Sequence, residues 1–191
     1  LKKRFLNIVK DKEIKELIHE KGIVLPNGLS EHWFNDNVRI NKTLNEKNIK
    51  FVYQGTFHKR KNVDYIIKLI ENLNAAGINS ELEIIGGGPE KNNLLNQIEL
   101  SNYKNMITIK EWTNDFNEIL NNYQNNSIFI MPSENETFGI SYLEAIAVGL
   151  PIIYKQGDGI DGFFEDHQVG VAISGNDLQS DINKIKDLIK N

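Results

Sequence analysis

Cysteine is absent from this 191-residue chain, and proline (four) and methionine (two) are scarce. Without cysteine there is no disulfide framework and no thiolate metal site, which fits a cytoplasmic protein. Apolar stretches fall well short of the roughly 20 residues that a bilayer span needs. Lys2, Lys3 and Arg4 are not followed by the apolar core of a signal peptide. An excess of positive charge is lacking too. The formal net charge of −4 argues against broad nucleic-acid binding, which needs a basic face, so an anionic ligand has to be held by local charge. His19, His32, His58 and His167 are scattered without metal-ligand spacing, and neither a Gly-x-x-x-x-Gly-Lys-Ser/Thr phosphate loop nor a hydrolase nucleophile elbow occurs. What remains is an ordinary globular composition, long enough for one full domain and a modest appendage.

Asp11 can cap a short helix with Ile14, Leu17 and Ile18 on one face, ending near Gly22. Ile23-Val24-Leu25 reads as extended and Pro26-Asn27-Gly28 as a turn. Residues 35–48 are polar and Asn-rich, a surface connection with Trp33 and Phe34 packing nearby. From residue 49 a regular alternation sets in. Strands are expected at 49–54, 82–85, 106–109, 128–131, 151–154 and 169–173. Helices are expected at 62–76, from Pro89 at the first helical position to about residue 100, and at 116–123, 138–148 and 178–189. This pattern predicts an α/β fold, a doubly wound Rossmann-like parallel sheet of about six strands covered on both faces. In the usual order of such sheets the first and fourth strands become neighbours where the winding reverses, and ligands bind there at the strands' carboxyl ends. The loops 55–61 and 131–139 would then face each other.

Both loops carry charge suited to a ligand. Glu136 and Glu144, with seven residues between them, flank the start of a helix that follows the apolar run Ile128–Met131 and Pro132. A helix start favours a phosphate, because unpaired amides and the macrodipole both point at it. Carboxylates on either side suit hydroxyls flanking a diphosphate, the layout of a nucleotide-sugar. The apolar neighbours of Glu144 place it at a partly buried edge, where it needs hydrogen-bond donors. His58-Lys59-Arg60-Lys61 is the densest basic run in the body of the chain; it is a solvated loop or an anion-binding turn, with Lys61 favoured because it adjoins a helix start. Gly86-Gly87-Gly88-Pro89 departs from the dinucleotide fingerprint, since Lys91 occupies the last glycine position. It is a tight strand-to-helix turn, or a place where missing side chains admit a nucleotide. Asp158, Asp161, Glu165 and Asp166 suggest a cation site or, preferably, a solvated acidic loop, since the spacing is wrong for an EF-hand.

The ordered series Val24-Leu25-Pro26-Asn27-Gly28, Tyr53-Gln54-Gly55 with Lys61-Asn62, Ile85-Gly86-Gly87-Gly88-Pro89, Pro132-Ser133, Glu136-x7-Glu144 with Phe138-Gly139, and Gly149-Leu150-Pro151 resembles the C-terminal, donor-binding half of a family 4 retaining glycosyltransferase, one half of a GT-B fold. The resemblance implies that Glu136 contacts hydroxyls of the donor sugar and Lys61 neutralises the leaving phosphate. Glu144 would hold the ribose. Amides around Thr137, Phe138, Gly139 and Ile140 would meet the diphosphate or sugar, with Gly55, Thr56, Arg60, Gly87 and Gly88 lining the donor and the backbone near Ile109 and Lys110 edging the base. It also implies a nucleoside-diphosphate sugar as substrate with no metal or other cofactor, and a glycan or lipid-linked acceptor. Residues 1–25 would be the remnant helix and crossover from a missing N-terminal acceptor domain, and 26–191 the donor domain, inactive in transfer by itself. A cytoplasmic location at the inner face of a membrane, in polysaccharide synthesis, is the implied setting. One departure stands out: the family commonly has an arginine after the glycine at Gly55, where this chain has Thr56. A non-catalytic nucleotide- or sugar-binding module and a GT-B nucleotide-sugar epimerase are the alternatives.

Overall fold

Strands buried on both faces carry near-continuous apolar runs, because helices cover each side of a parallel sheet. The chain follows that rule in a computed structural model that describes residues 9–23, 27–35, 37–40, 44, 47–165 and 167–190. The expectations for Lys2 to Arg4, for Val24 to Pro26 and for Asp166 lie outside the described residues. Six strands, β1 (Ile49–Thr56), β2 (Ser80–Gly87), β3 (Ile107–Lys110), β4 (Ile128–Met131), β5 (Ile152–Lys155) and β6 (Gly170–Ile173), form one sheet in the order β3-β2-β1-β4-β5-β6, with every pairing parallel. All four residues of β4 are buried. The fold is the doubly wound α/β sheet that the alternation predicts. β1 and β4 are neighbours, with Phe51 opposite Ile128 and Val52 opposite Phe129, so the winding reverses at that seam.

Helices α2 (Val63–Ala75), α3 (Lys91–Leu100), α4 (Phe116–Gln124), α5 (Ile140–Val148) and α6 (Leu178–Lys190) join or follow the strands. α2 packs with α3 and α6, and α4 with α5, two groups that cover the two faces. Phe51, Tyr53, Phe57, Phe129, Tyr123 and Tyr142 are among the largest fully buried side chains, and each such side chain contributes about 1.5–3 kcal/mol by leaving water. The buried Asp181 carboxylate fastens α6 to α2, accepting from the Tyr65 hydroxyl at 2.8 Å and from the Ser174 and Gly175 amides at 2.7 and 2.8 Å. Ahead of the sheet, α1 (Lys12–Lys21) is capped by Asp11, which accepts from the Ile14 amide at 3.0 Å; none of its residues is buried.

Three expectations need correction. Pro89 does not open a helix: α3 starts at Lys91, because the Glu90 amide donates to the Phe57 carbonyl at 3.0 Å and ties Gly88-Pro89-Glu90 to the loop after β1. The helix expected from Phe138 starts at Ile140, with Gly139 as its cap at φ 84°, where a Cβ would lie 2.5 Å from the Tyr142 ring. Of the two aromatics assigned to packing near the connection, Trp33 is buried in edge contacts with Phe116 and Tyr123, whereas Phe34 is 74% exposed.

Candidate functional site

After β1 the chain makes a single 3-10 turn, Lys59–Lys61, closed by Asn62 in the left-handed conformation with its side-chain amide donating to the Gly175 carbonyl at 3.1 Å. With about three residues per turn, successive side chains point apart: Lys61 is turned inward and only 9% exposed, while Lys59 stays in solvent. The loop after β4 comes to meet this turn. The Glu134 amide donates to the Arg60 carbonyl at 2.6 Å, and the Glu134 carboxylate accepts from Lys155 at the end of β5, 2.8 Å away. Glu136, 8% exposed, places its Oε2 2.5 Å from Lys61 Nζ and 3.5 Å from Arg60 Nη1. The basic turn and the acidic helix mouth therefore meet in one charged cluster at the β1–β4 seam. Arg60 supplies the second positive charge there. Thr56, standing where the family commonly has arginine, is exposed and brings no charge; its carbonyl accepts from the Tyr53 hydroxyl at 2.8 Å. That hydroxyl lies over Gly55, where a Cβ would approach it to 2.9 Å.

Gly139 turns the chain so that Glu136, Thr137 and Phe138 lie across the mouth of α5 instead of inside it. The Thr137 amide is engaged by Glu136 Oε1 at 3.2 Å, whereas the amides of Phe138, Gly139 and Ile140 donate to no acceptor among the described residues. Phe138 is buried edge-on against Phe163, with ring centroids 4.7 Å apart. The acidic loop after β5 is not merely solvated. Asp158 accepts from the Asn135 amide at 2.6 Å, Asp161 from the Gly157 amide at 2.5 Å, and the Gly159 amide donates to the Glu136 carbonyl at 3.2 Å, so this loop braces the Glu136 segment.

Glu144 sits one turn into α5, partly buried, and accepts from the Tyr123 hydroxyl of α4 at 2.8 Å. Burial pushes its carboxyl above the ordinary carboxylate range, and the Tyr123 bond offsets part of that. A carboxyl raised in the folded state favours folding while protonated and loses that advantage as pH rises through its folded pKa. The ionised Glu144 therefore costs stability at neutral pH. Glu144→Gln is expected to melt at a higher temperature than the wild type at neutral pH, with the gap closing as thermal scans move down to the ordinary glutamate range; an equal or lower melting temperature at neutral pH would contradict this.

The glycine run divides. A Cβ on Gly86 would lie 1.9 Å from the Gly55 carbonyl oxygen and one on Gly88 2.7 Å from the Phe57 carbonyl oxygen, so both are explained by packing; at Gly87 the space is open. Ile109 and Lys110 end the edge strand β3, and the Lys110 ammonium pairs with Glu83. They stand apart from the Lys61–Glu136 cluster. Three strand spacings, roughly 14 Å in all, separate β3 from β4. A cavity of about 480 Å³ bounded by Ile146, Pro151, His167 and Asp187 opens at the amino ends of β5 and β6, away from these residues. Among the described residues no three His, Asp or Glu side chains converge as a metal-binding set, and no helix is long and apolar enough to cross a membrane. Tyr53, Tyr123 and Lys155 are site residues that sequence reasoning missed, and Asp158, read as part of a solvated acidic loop, instead holds the Asn135 amide. Tyr123, Lys155 and Asp158 each act on a partner more than 20 residues away, which no local spacing signals, whereas Tyr53 reaches the Thr56 carbonyl three residues on.

The chain is similar to known proteins in sequence and in fold. The chain is 29% identical over 188 residues to the UDP-Gal:alpha-D-GlcNAc-diphosphoundecaprenol alpha-1,3-galactosyltransferase of Escherichia coli, a match covering 92% of this chain and 48% of that protein. It spans no more than about half the length of the relatives it matches. The C-terminal domain of the glycosyl transferase group 1 family protein LpcC from Francisella tularensis has the same fold, with a TM-score of 0.65 at 20% identity over 87% of this chain and 85% of that one. So does the pneumococcal O-GlcNAc transferase GtfA in complex with UDP and GlcNAc, with a TM-score of 0.63 at 24% identity over 75% of this chain and 28% of that one. The sequence profile of the family described as Glycosyl transferases group 1 matches residues 34–191. The chain belongs to that family.

Proposed function

We propose that residues 26–191 are the donor-binding domain of a retaining glycosyltransferase. It would transfer a sugar from a nucleoside diphosphate to a glycan or lipid-linked acceptor, with residues 1–25 the crossover from an acceptor-binding half. One observation carries this reading: two cations, Lys61 and Arg60, converge on one carboxylate oxygen of Glu136, in the loop that leads into α5, at the seam where the sheet's winding reverses. Such a cluster suits a diphosphate, whose charge grows as the bond to the sugar's anomeric carbon breaks and the acceptor oxygen takes its place. Lys61 and Arg60 then stabilise the departing phosphate, with the helix start beside them and no metal needed. Glu136 faces the sugar and Glu144 the ribose diol, with Tyr123 keeping the Glu144 carboxylate oriented. The base lies toward Ile109 and Lys110, and Gly87 leaves room for the nucleotide to cross the end of β2.

The UDP in the GtfA complex and in the donor name of the E. coli relative supports a uridine donor, and that relative's name also supports a lipid-diphosphate acceptor. Alone, the domain would bind donor and transfer little, and any attachment to the inner membrane face would come from the acceptor half. The arrival of Arg60 in the pocket favours an enzyme over a binding module, because it restores the charge missing at Thr56. Calorimetry with UDP, GDP and the matching monophosphates tests the reading. A diphosphate is expected to bind with Kd below about 1 mM, or about −4 kcal/mol, and its monophosphate about tenfold more weakly, for the loss of one charge-assisted contact. If no diphosphate binds, the proposal fails.

A further inference from the structure

We infer that Glu136 discriminates the sugar-bearing donor from the free nucleoside diphosphate by occupying, on Lys61 and Arg60, the place that a diphosphate takes; this rests on the donor-site reading above. Both cations address the same carboxylate oxygen, Oε2, at 2.5 and 3.5 Å, so the pocket already contains a resident anion. Lys61 and Glu136 are buried, and a buried pair is screened by salt far less than a surface one. The Glu136 backbone is held in place as well: the Gly159 amide binds its carbonyl at 3.2 Å, and a Cβ on Gly159 would lie 3.3 Å from the Glu136 Cβ. An arriving anion must therefore be met by rotation of the Glu136 side chain, not by withdrawal of the loop.

The two candidate ligands differ in what they offer the displaced carboxylate. A sugar brings hydroxyl donors, which a carboxylate accepts readily. A free diphosphate brings none, and its terminal phosphate carries about −1.5 to −2 at neutral pH, against about −1 once esterified to the sugar. Glu136 is thus compensated by the donor and repelled by the product. Once the sugar has left, the same carboxylate reclaims Lys61 and Arg60 and favours expulsion of the spent diphosphate. The ion pair seen in the structure is the state to which the site returns.

The test titrates inorganic pyrophosphate, UDP, GDP and UDP-glucose into the wild-type chain and into Glu136→Gln. Removing the like charge is expected to tighten pyrophosphate and UDP about tenfold and to lower the preference for UDP-glucose over UDP by about the same factor. Glu136→Gln also leaves Lys61 buried without its anion, so millimolar pyrophosphate should raise its melting temperature more than that of the wild type. This readout survives a loss of stability in the variant. Binding of pyrophosphate and UDP that is unchanged or weaker in Glu136→Gln, with UDP still bound by the wild type, overturns the inference and leaves the donor site standing. If neither chain binds pyrophosphate, UDP or GDP, the donor-site reading falls and the inference with it.

Discussion

Replacing Lys61 by Ala is expected to weaken nucleoside-diphosphate binding by about 10- to 100-fold, corresponding to about 1.5–3 kcal/mol for a lost charge-assisted contact. It is expected to cost up to about 3–5 kcal/mol of folding stability as well, because breaking the buried pair leaves Glu136 with only the more exposed Arg60 to compensate it. The geometry supports both figures: Lys61 is inside, its ammonium is 2.5 Å from Glu136, and the Met131 sulfur lies 3.9 Å away on the other strand of the seam. A loss of that size is a large fraction of the 5–15 kcal/mol typical of a domain, so binding and folding have to be separated. Lys61→Met with Glu136→Leu does this, since a buried pair replaced by apolar groups of similar volume is often neutral in stability. The double variant should fold like the wild type in urea and bind UDP about 10- to 100-fold more weakly than Glu136→Leu alone in calorimetry. Binding as tight as that of Glu136→Leu alone would mean that Lys61 does not contact the diphosphate.

Gly86→Ala should be more damaging to the fold than any surface change nearby, by at least about 3 kcal/mol in denaturant titrations, from backbone strain and overpacking together. Gly86 has φ 150°, and an added Cβ would lie 1.9 Å from the Gly55 carbonyl oxygen. Gly55 and Gly86 are direct partners in the β1–β2 register, so neither backbone can yield without opening the sheet at its ligand end. Gly87→Ala is the matched comparison. Its Cβ meets nothing within 4 Å, so stability should change by no more than about 0.5 kcal/mol, while UDP binding should weaken if the nucleotide crosses there. A Gly86→Ala protein as stable as the wild type would show that the two strand ends are not held together as described.

Much of this was legible in the residues, for an identifiable reason. Parallel strands are solvent-free on both sides, so runs such as Ile128–Met131 stand out against the polar turns around them. The pairing of Lys61 with Glu136 followed from strand order, since both belong to loops at the carboxyl ends of adjacent strands. The hydroxyl of Tyr123 on Glu144 did not follow, because it links two helices through a contact that no spacing within either one encodes. Arg60 follows Thr56 by four residues, and the 3-10 turn over Lys59–Lys61 leaves its guanidinium 3.5 Å from Glu136, a placement that no spacing along the chain signals. Pro89 and Phe138 were misplaced because backbone ties to Phe57 and the positive φ of Gly139 overrode local helix signals.

Lys61 and Glu136 are 75 residues apart in the chain, and α2, β2, α3, β3, α4 and β4 are all threaded between them. No short peptide cut from this polypeptide can contain both, and the ordering entropy of everything between must be met before they touch. Recognition here is consequently a property of completed topology: an excised motif or a half-formed sheet inherits the residues without inheriting the place where they meet.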